Sequence, residues 1–138
     1  MAKYDLSGNI IWSIRQGCTD WYNNTSNGVS VDSFGNPYIC GIINYDSYFS
    51  SFNGLNNYYV RGIDYAEPFI AKYNTNGSLA WVIAAVDGQD DTCVNLVVQN
   101  NVANVIGTFE QTINFGYQQL HTPKASNNGD LFIWRYNE

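Results

Sequence analysis

The sequence is short of charge. Only 13% of its 138 residues are Asp, Glu, Lys or Arg, and the six basic residues (Lys3, Arg15, Arg61, Lys72, Lys124 and Arg135) are scattered along the chain. At a formal net charge of -6 it carries no basic patch able to neutralise phosphates, which excludes a nucleic-acid footprint. No apolar run approaches the ~20 residues of a membrane-spanning helix. The first residues contain no basic segment leading into an apolar one, so no secretory signal is visible, and an intracellular or virion-associated setting is favoured over classical secretion.

The hallmarks of catalysis are missing as well. His121 is the single histidine, placed in a polar segment before Pro123, and reads as an exposed loop residue. No G-x-S-x-G, H-E-x-x-H, phosphate-cradling glycine loop or G-x-G-x-x-G occurs. The chain is therefore expected not to be an enzyme and to need no cofactor. Cys18, Cys40 and Cys93 form no C-x-x-C pair, and an odd count cannot pair fully. All three are expected as free thiols acting as small apolar side chains, not linked to one another.

What the chain has in quantity is aromatic residues, 16% of the total and led by 11 Tyr, within a hydrophobic fraction of 45%. That balance suits sheets. An internal repeat then organises the sequence. Ala2-Lys3-Tyr4, Gly8 and Trp12 recur at identical spacing as Ala71-Lys72-Tyr73, Gly77 and Trp81, an offset of 69 residues. Val31 through Gly41 matches Val98 through Gly107, and Phe132-Ile133-Trp134-Arg135-Tyr136 repeats Phe69-Ile70-Ala71-Lys72-Tyr73.

Within each copy the apolar period is two, as in Ile10-Trp12-Ile14 and Leu79-Trp81-Ile83. Short polar turns with glycine, Asp5 to Asn9 and Asn74 to Ser78, read as hairpin loops. No apolar stripe at helical spacing is present, so almost no helix is expected. The segments Asn44 to Glu67 and Glu110 to Asp130 read as an extra short hairpin or a long loop in each copy. The organisation is a first repeat unit over residues 1–68, a second over 69–130 and a C-terminal repeat strand over 131–138. Tyr4, Trp12, Tyr73, Trp81, Phe132 and Tyr136 form the expected repeat core, with Trp12 and Trp81 in equivalent buried positions.

The succession Phe-Ile-Ala-Lys-Tyr, glycine turn, Leu79-Ala80-Trp81, acidic turn Gly88-Gln89-Asp90-Asp91, Val-rich strand and a strand ending in Gly107 resembles the SBBP-type β-propeller repeat, and Val31 to Gly41 fits the same pattern. The resemblance implies an all-β fold of two four-stranded antiparallel blades and no shared reaction. Propellers close with about four to eight blades. Two blades would then form a ring or filament by head-to-tail homo-oligomerisation, through blade edges and the C-terminal strand, with Leu131 to Tyr136 docked at an edge of its own chain or of a neighbour.

Two groups of residues are candidates for function. Trp21, Tyr22, Tyr45, Tyr48, Tyr58, Tyr59 and Tyr65 fall between the alternating core positions, and rings with polar neighbours suit glycan or protein binding as well as packing between blades. Asp87, Asp90 and Asp91 crowd one loop, a weak calcium candidate whose spacing is not that of an EF-hand, against a structural role in a turn. The expected function is a non-enzymatic binding module. A structural subunit of a fibre, virion or cell-surface assembly, or a fragment of a longer propeller, are the alternatives.

Overall fold

The computed structural model describes residues 1–18, 24–52, 54, 57–62, 66–122 and 129–137. The fold is all-β and built from antiparallel sheets, and among the described residues no helix is long and apolar enough to cross a membrane. The strands are β1 (Ala2–Tyr4), β2 (Ile10–Ser13), β3 (Gln16–Cys18), β4 (Thr25–Val31), β5 (Pro37–Ile43), β6 (Ser47–Ser50), β7 (Asn57–Val60), β8 (Glu67–Tyr73), β9 (Leu79–Ala84), β10 (Gln89–Gln99), β11 (Val102–Glu110), β12 (Thr112–Phe115), β13 (Gln118–His121) and β14 (Asp130–Asn137).

Local chemistry sets the hairpins. Asp5 and Asp32 each fold a five-residue turn back on itself: the carboxylate accepts from the backbone and side-chain N–H groups of Asn9 or Asn36, and the glycine before that Asn has a positive φ. Asn74 builds the same turn with Ser78 and Gly77. The registers that follow are matched too. Lys3 stands opposite Trp12 and Tyr4 opposite Ile10, as Lys72 stands opposite Trp81 and Tyr73 opposite Leu79. β4–β5 and β10–β11 each carry a bulge, after Ser26 and after Cys93. Opposite those residues lie Gly41 and Gly107, where a Cβ would stand 1.9 Å from the carbonyl oxygen of Thr25 and 2.0 Å from that of Thr92. Only glycine admits that approach.

The hairpins combine differently from the expected pair of four-stranded blades. One sheet has four strands, ordered β4-β5-β8-β9, with β8 straddling the boundary between the two repeat units. β14 pairs with β11 of its own chain to give the three-stranded β10-β11-β14, and β1-β2 stands as a two-stranded sheet. The segments after β5 and β11 form hairpins, β6-β7 joined by β3, and β12-β13. Gln89 to Asp91, expected in a turn, run within β10.

Two cores lie between these sheets. Tyr38, Cys40 and Ile70 of the four-stranded sheet pack on Leu96, Val105, Phe132 and Trp134 of β10-β11-β14. On its other face, Ile39, Phe69, Ala71, Tyr73 and Leu79 pack with Phe49 and with Met1 and Ile14 of the N-terminal region. Trp12 is 2% exposed, with its indole N–H on the Thr75 carbonyl, whereas Trp81 is half-buried between the rings of Tyr38 and Tyr136. Of the other expected core residues, Tyr73 and Phe132 are buried and Tyr136 is half-buried. Tyr4 is exposed, because among the described residues no further sheet covers its face of β1-β2.

The cysteines depart from expectation. Cys40 of β5 and Cys93 of β10 are joined by a disulfide, with Cα atoms 6.4 Å apart, and Cys18 remains a thiol whose Sγ donates to the Asn44 carbonyl. The two partners face one another across the seam between sheets, a proximity created by sheet stacking and invisible in their spacing. Such bridges persist in oxidising surroundings and at virion surfaces, so the cysteines lend no support to a reducing compartment.

Candidate functional site: a tyrosine-bearing sheet face

The small sheet β3-β6-β7 carries the largest described group of the aromatic candidates. Its central strand alternates: Ser47 and Phe49 point inward and are fully buried, while Tyr48 points outward, 42% exposed. Phe49 fixes the sheet to the fold by meeting Phe69 edge-on, with ring centroids 4.9 Å apart. Tyr48 is therefore held from beneath by a rigid strand.

Across the ladder Tyr48 faces Tyr59, itself 50% exposed, and the rings lie 5.2 Å apart at 56°. The Tyr59 hydroxyl donates to the Asp46 carboxylate, and that hydrogen bond, with a smaller part from burial, raises the phenol above its ordinary range. The ring is thus fixed at its polar tip. On the other side Tyr48 faces Gly17, where a Cβ would meet nothing within 4 Å. The missing side chain opens a groove of about 230 Å³ lined by Arg15, Gly17, Cys18, Tyr48, Ser50 and Asn57. Ser50 donates through Oγ to the Arg15 carbonyl, tying β6 to the chain entering β3. Flat ring surface beside a guanidinium and an amide offers apolar stacking and directional hydrogen bonds in one place.

The remaining candidates are dispersed. Tyr58 stands opposite Phe49 on β7 and is exposed. Tyr45 lies half-buried in the turn before β6 with a φ of 59°, its carbonyl accepting from Ser47 Oγ. Trp21, Tyr22 and Tyr65 lie outside the described residues. Arg15, Gly17, Ser50 and Asn57 were not singled out from the sequence. The Ser47-Tyr48-Phe49-Ser50 alternation is the signal that points to this strand, but nothing local marks Arg15 or Gly17 as its neighbours.

The three aspartates are not gathered into one cluster. Among the described residues no group of three or more His, Cys, Asp or Glu side chains is placed to hold a metal ion. Asp87 and Asp90 are exposed at positive φ, whereas Asp91 is buried, its Oδ1 accepting from the Glu110 N–H at 3.0 Å. Its Oδ2 has no hydrogen-bond partner and fills the space beside Gly88, where a Cβ would come within 1.9 Å. Burial pushes this carboxyl up to about 7, against the lowering effect of its backbone hydrogen bonds. Asn24 holds the matching post in the first copy, accepting from the Asn44 N–H at 2.9 Å. Asp91 therefore ties off the end of β11, as Asn24 does for β5. His121 is exposed, its Nδ1 2.9 Å from the Thr112 hydroxyl.

No family model, curated protein or solved structure matches this chain.

Proposed function

We propose that this chain is a non-enzymatic, propeller-like repeat module that binds carbohydrate on the outer face of β3-β6-β7. The observation that carries the reading is the Tyr48–Tyr59 pair, two exposed rings held in fixed orientation beside an open groove edged by Arg15 and Asn57. Tyrosine rings stack on the C–H face of a sugar, and the polar rim meets its hydroxyls. Isothermal titration with oligosaccharides chosen from a glycan array tests it. Tyr48→Ala should lower affinity at least tenfold with the melting temperature little changed, because the ring lies outside both cores. Undiminished binding by the double variant Tyr48→Ala, Tyr59→Ala would remove this face from consideration.

A second reading, as a self-associating structural subunit, is favoured by the outer face of β10-β11-β14. There Leu131 and Ile133 are 83% and 76% exposed, although their counterparts Pro68 and Ile70 in β8 are buried. Large uncovered apolar side chains on a sheet mark an interaction surface.

A further inference from the structure

We infer that two copies of this chain join by strand exchange, with β10-β11-β14 of one copy entering the open groove beside β2 of the other and β14 taking the place that β1 holds in the single chain. This rests on the propeller-like reading of the repeats and is independent of carbohydrate binding. The molecule already contains one such interface. The face of the four-stranded sheet bearing Cys40 and Ile70 is covered by β10-β11-β14. By ladder position Cys40 corresponds to Ile106 and Ile70 to Ile133, since Cys40 pairs with Ile70 and Ile106 with Ile133. The second pair is exposed.

The surface able to receive that face is also present. Leu96 and Val105, on the covering side of the existing interface, correspond to Val29 and Ile39, which likewise stand opposite one another. Val29 is 63% exposed and Val31 is exposed beside it. Above them, along the edge of β1 that pairs with no other strand among the described residues, run grooves of about 350 Å³ each, bordered by Met1, Ala2, Val29 and either Ile39 or Pro37. In the four-stranded sheet the corresponding place next to β8 is filled by β5 and β4. An incoming β11 and β10 would fill it in the same way.

β14 and β1 compete for one position. Lys3 pairs with Trp12 as Lys72 pairs with Trp81, and Arg135 is the third member of the series. β1 offers three residues, of which Ala2 and Tyr4 are exposed, whereas β14 runs for eight and brings Phe132 and Trp134. Among the described residues no strand pairs with the outer edge of β14 in the single chain, which leaves a row of N–H and C=O groups for another strand. In the exchanged arrangement Arg135 faces Trp12 and Ile133 faces Ile14 of the other copy.

Size exclusion with light scattering, over a range of concentrations, tests this on the wild-type chain and on Ile133→Lys. Ile133 points to solvent in the single chain, so the variant should still fold cooperatively, with a melting temperature that no longer depends on concentration, and lose association. Chains carrying Ile14→Cys mixed with chains carrying Ile133→Cys should form a mixed disulfide under mild oxidation. A wild-type chain that stays single at every concentration overturns the inference and leaves the groove to a flanking segment of a longer chain. Assembly unaffected by Ile133→Lys, or assembly without the mixed disulfide, overturns it as well. Neither result bears on the Tyr48 face, which the titration judges separately.

Discussion

Trp12 donates its indole N–H to the carbonyl oxygen of Thr75 at 2.9 Å, across a sequence separation of 63 residues. The ring also lies against Gly77, where a Cβ would come 3.0 Å from it. The first hairpin is thus seated on the turn of the hairpin that repeats it. Trp12→Ala should cost ~3–5 kcal/mol in urea unfolding, as truncation of a buried aromatic does. Trp81→Ala, at a half-buried position, should cost about 1–3 kcal/mol. Equal losses would show that burial does not distinguish the two.

Asp91 makes stability depend on pH. Its carboxyl, pushed up to about 7 by burial, keeps in the folded state a proton that the unfolded chain gives up near its ordinary value of 3.8. Between those values the folded state binds more protons, so stability falls as pH rises from about 4 to about 7 and levels off above. Asp32 acts in the opposite sense. Burial raises it, but the hydrogen bonds from Asn36 and Phe34 outweigh that effect and hold it below its ordinary range, so its contribution is lost as pH falls. On these two groups stability should be highest at about pH 4, where Asp32 still contributes and Asp91 has not yet begun to cost. Asp91→Asn copies Asn24 and should flatten the slope between about pH 4 and 7, read from denaturation midpoints across the range. An unchanged slope would assign the dependence to another group.

Gly107 should tolerate no side chain. Alanine there would place its Cβ 2.0 Å from the Thr92 carbonyl and 2.5 Å from the Phe132 ring. Neither neighbour can withdraw without breaking the bulge or the seam. Gly107→Ala and the matching Gly41→Ala should each cost at least ~1–3 kcal/mol. Alanine at Gly17, which meets nothing, serves as the control and should leave stability near that of the parent.

Thiol titration in non-reducing denaturant should find one reactive cysteine, Cys18, and three after reduction. Loss of the Cys40–Cys93 bridge should lower stability by ~2–4 kcal/mol. Three thiols before reduction would show the bridge unformed.

Much of this fold is written locally. The Lys3–Trp12 and Lys72–Trp81 registers follow from five-residue turns whose Asp or Asn and Gly stand in the sequence, and Gly41 and Gly107 mark the bulged pairs. What the chain does not carry locally is which hairpin joins which. β5 pairs with β8 across the whole β6-β7 insertion, and only the stacking of the resulting sheets brings Cys40 to Cys93. Tyr4 looked like Tyr73 because the two share a register, and the sequence holds no sign that one face lacks a covering sheet. The tyrosine face is intermediate. The aromatic surplus was legible, but the meeting of Tyr48 with Tyr59 and Gly17 depends on β3 arriving from a distant part of the chain.

The bridge also breaks the symmetry of the repeat, because the residues matching Cys40 and Cys93 in the other copies are Ile106 and Ser26. A chain pulled from its two ends would unravel only as far as the cysteines. The 53-residue separation between them would never be paid out, withholding roughly 180 Å of contour at ~3.4 Å per residue. Under tension the molecule is therefore two extensible arms around a closed knot of sheet, and a reductant acts as the switch that lengthens it.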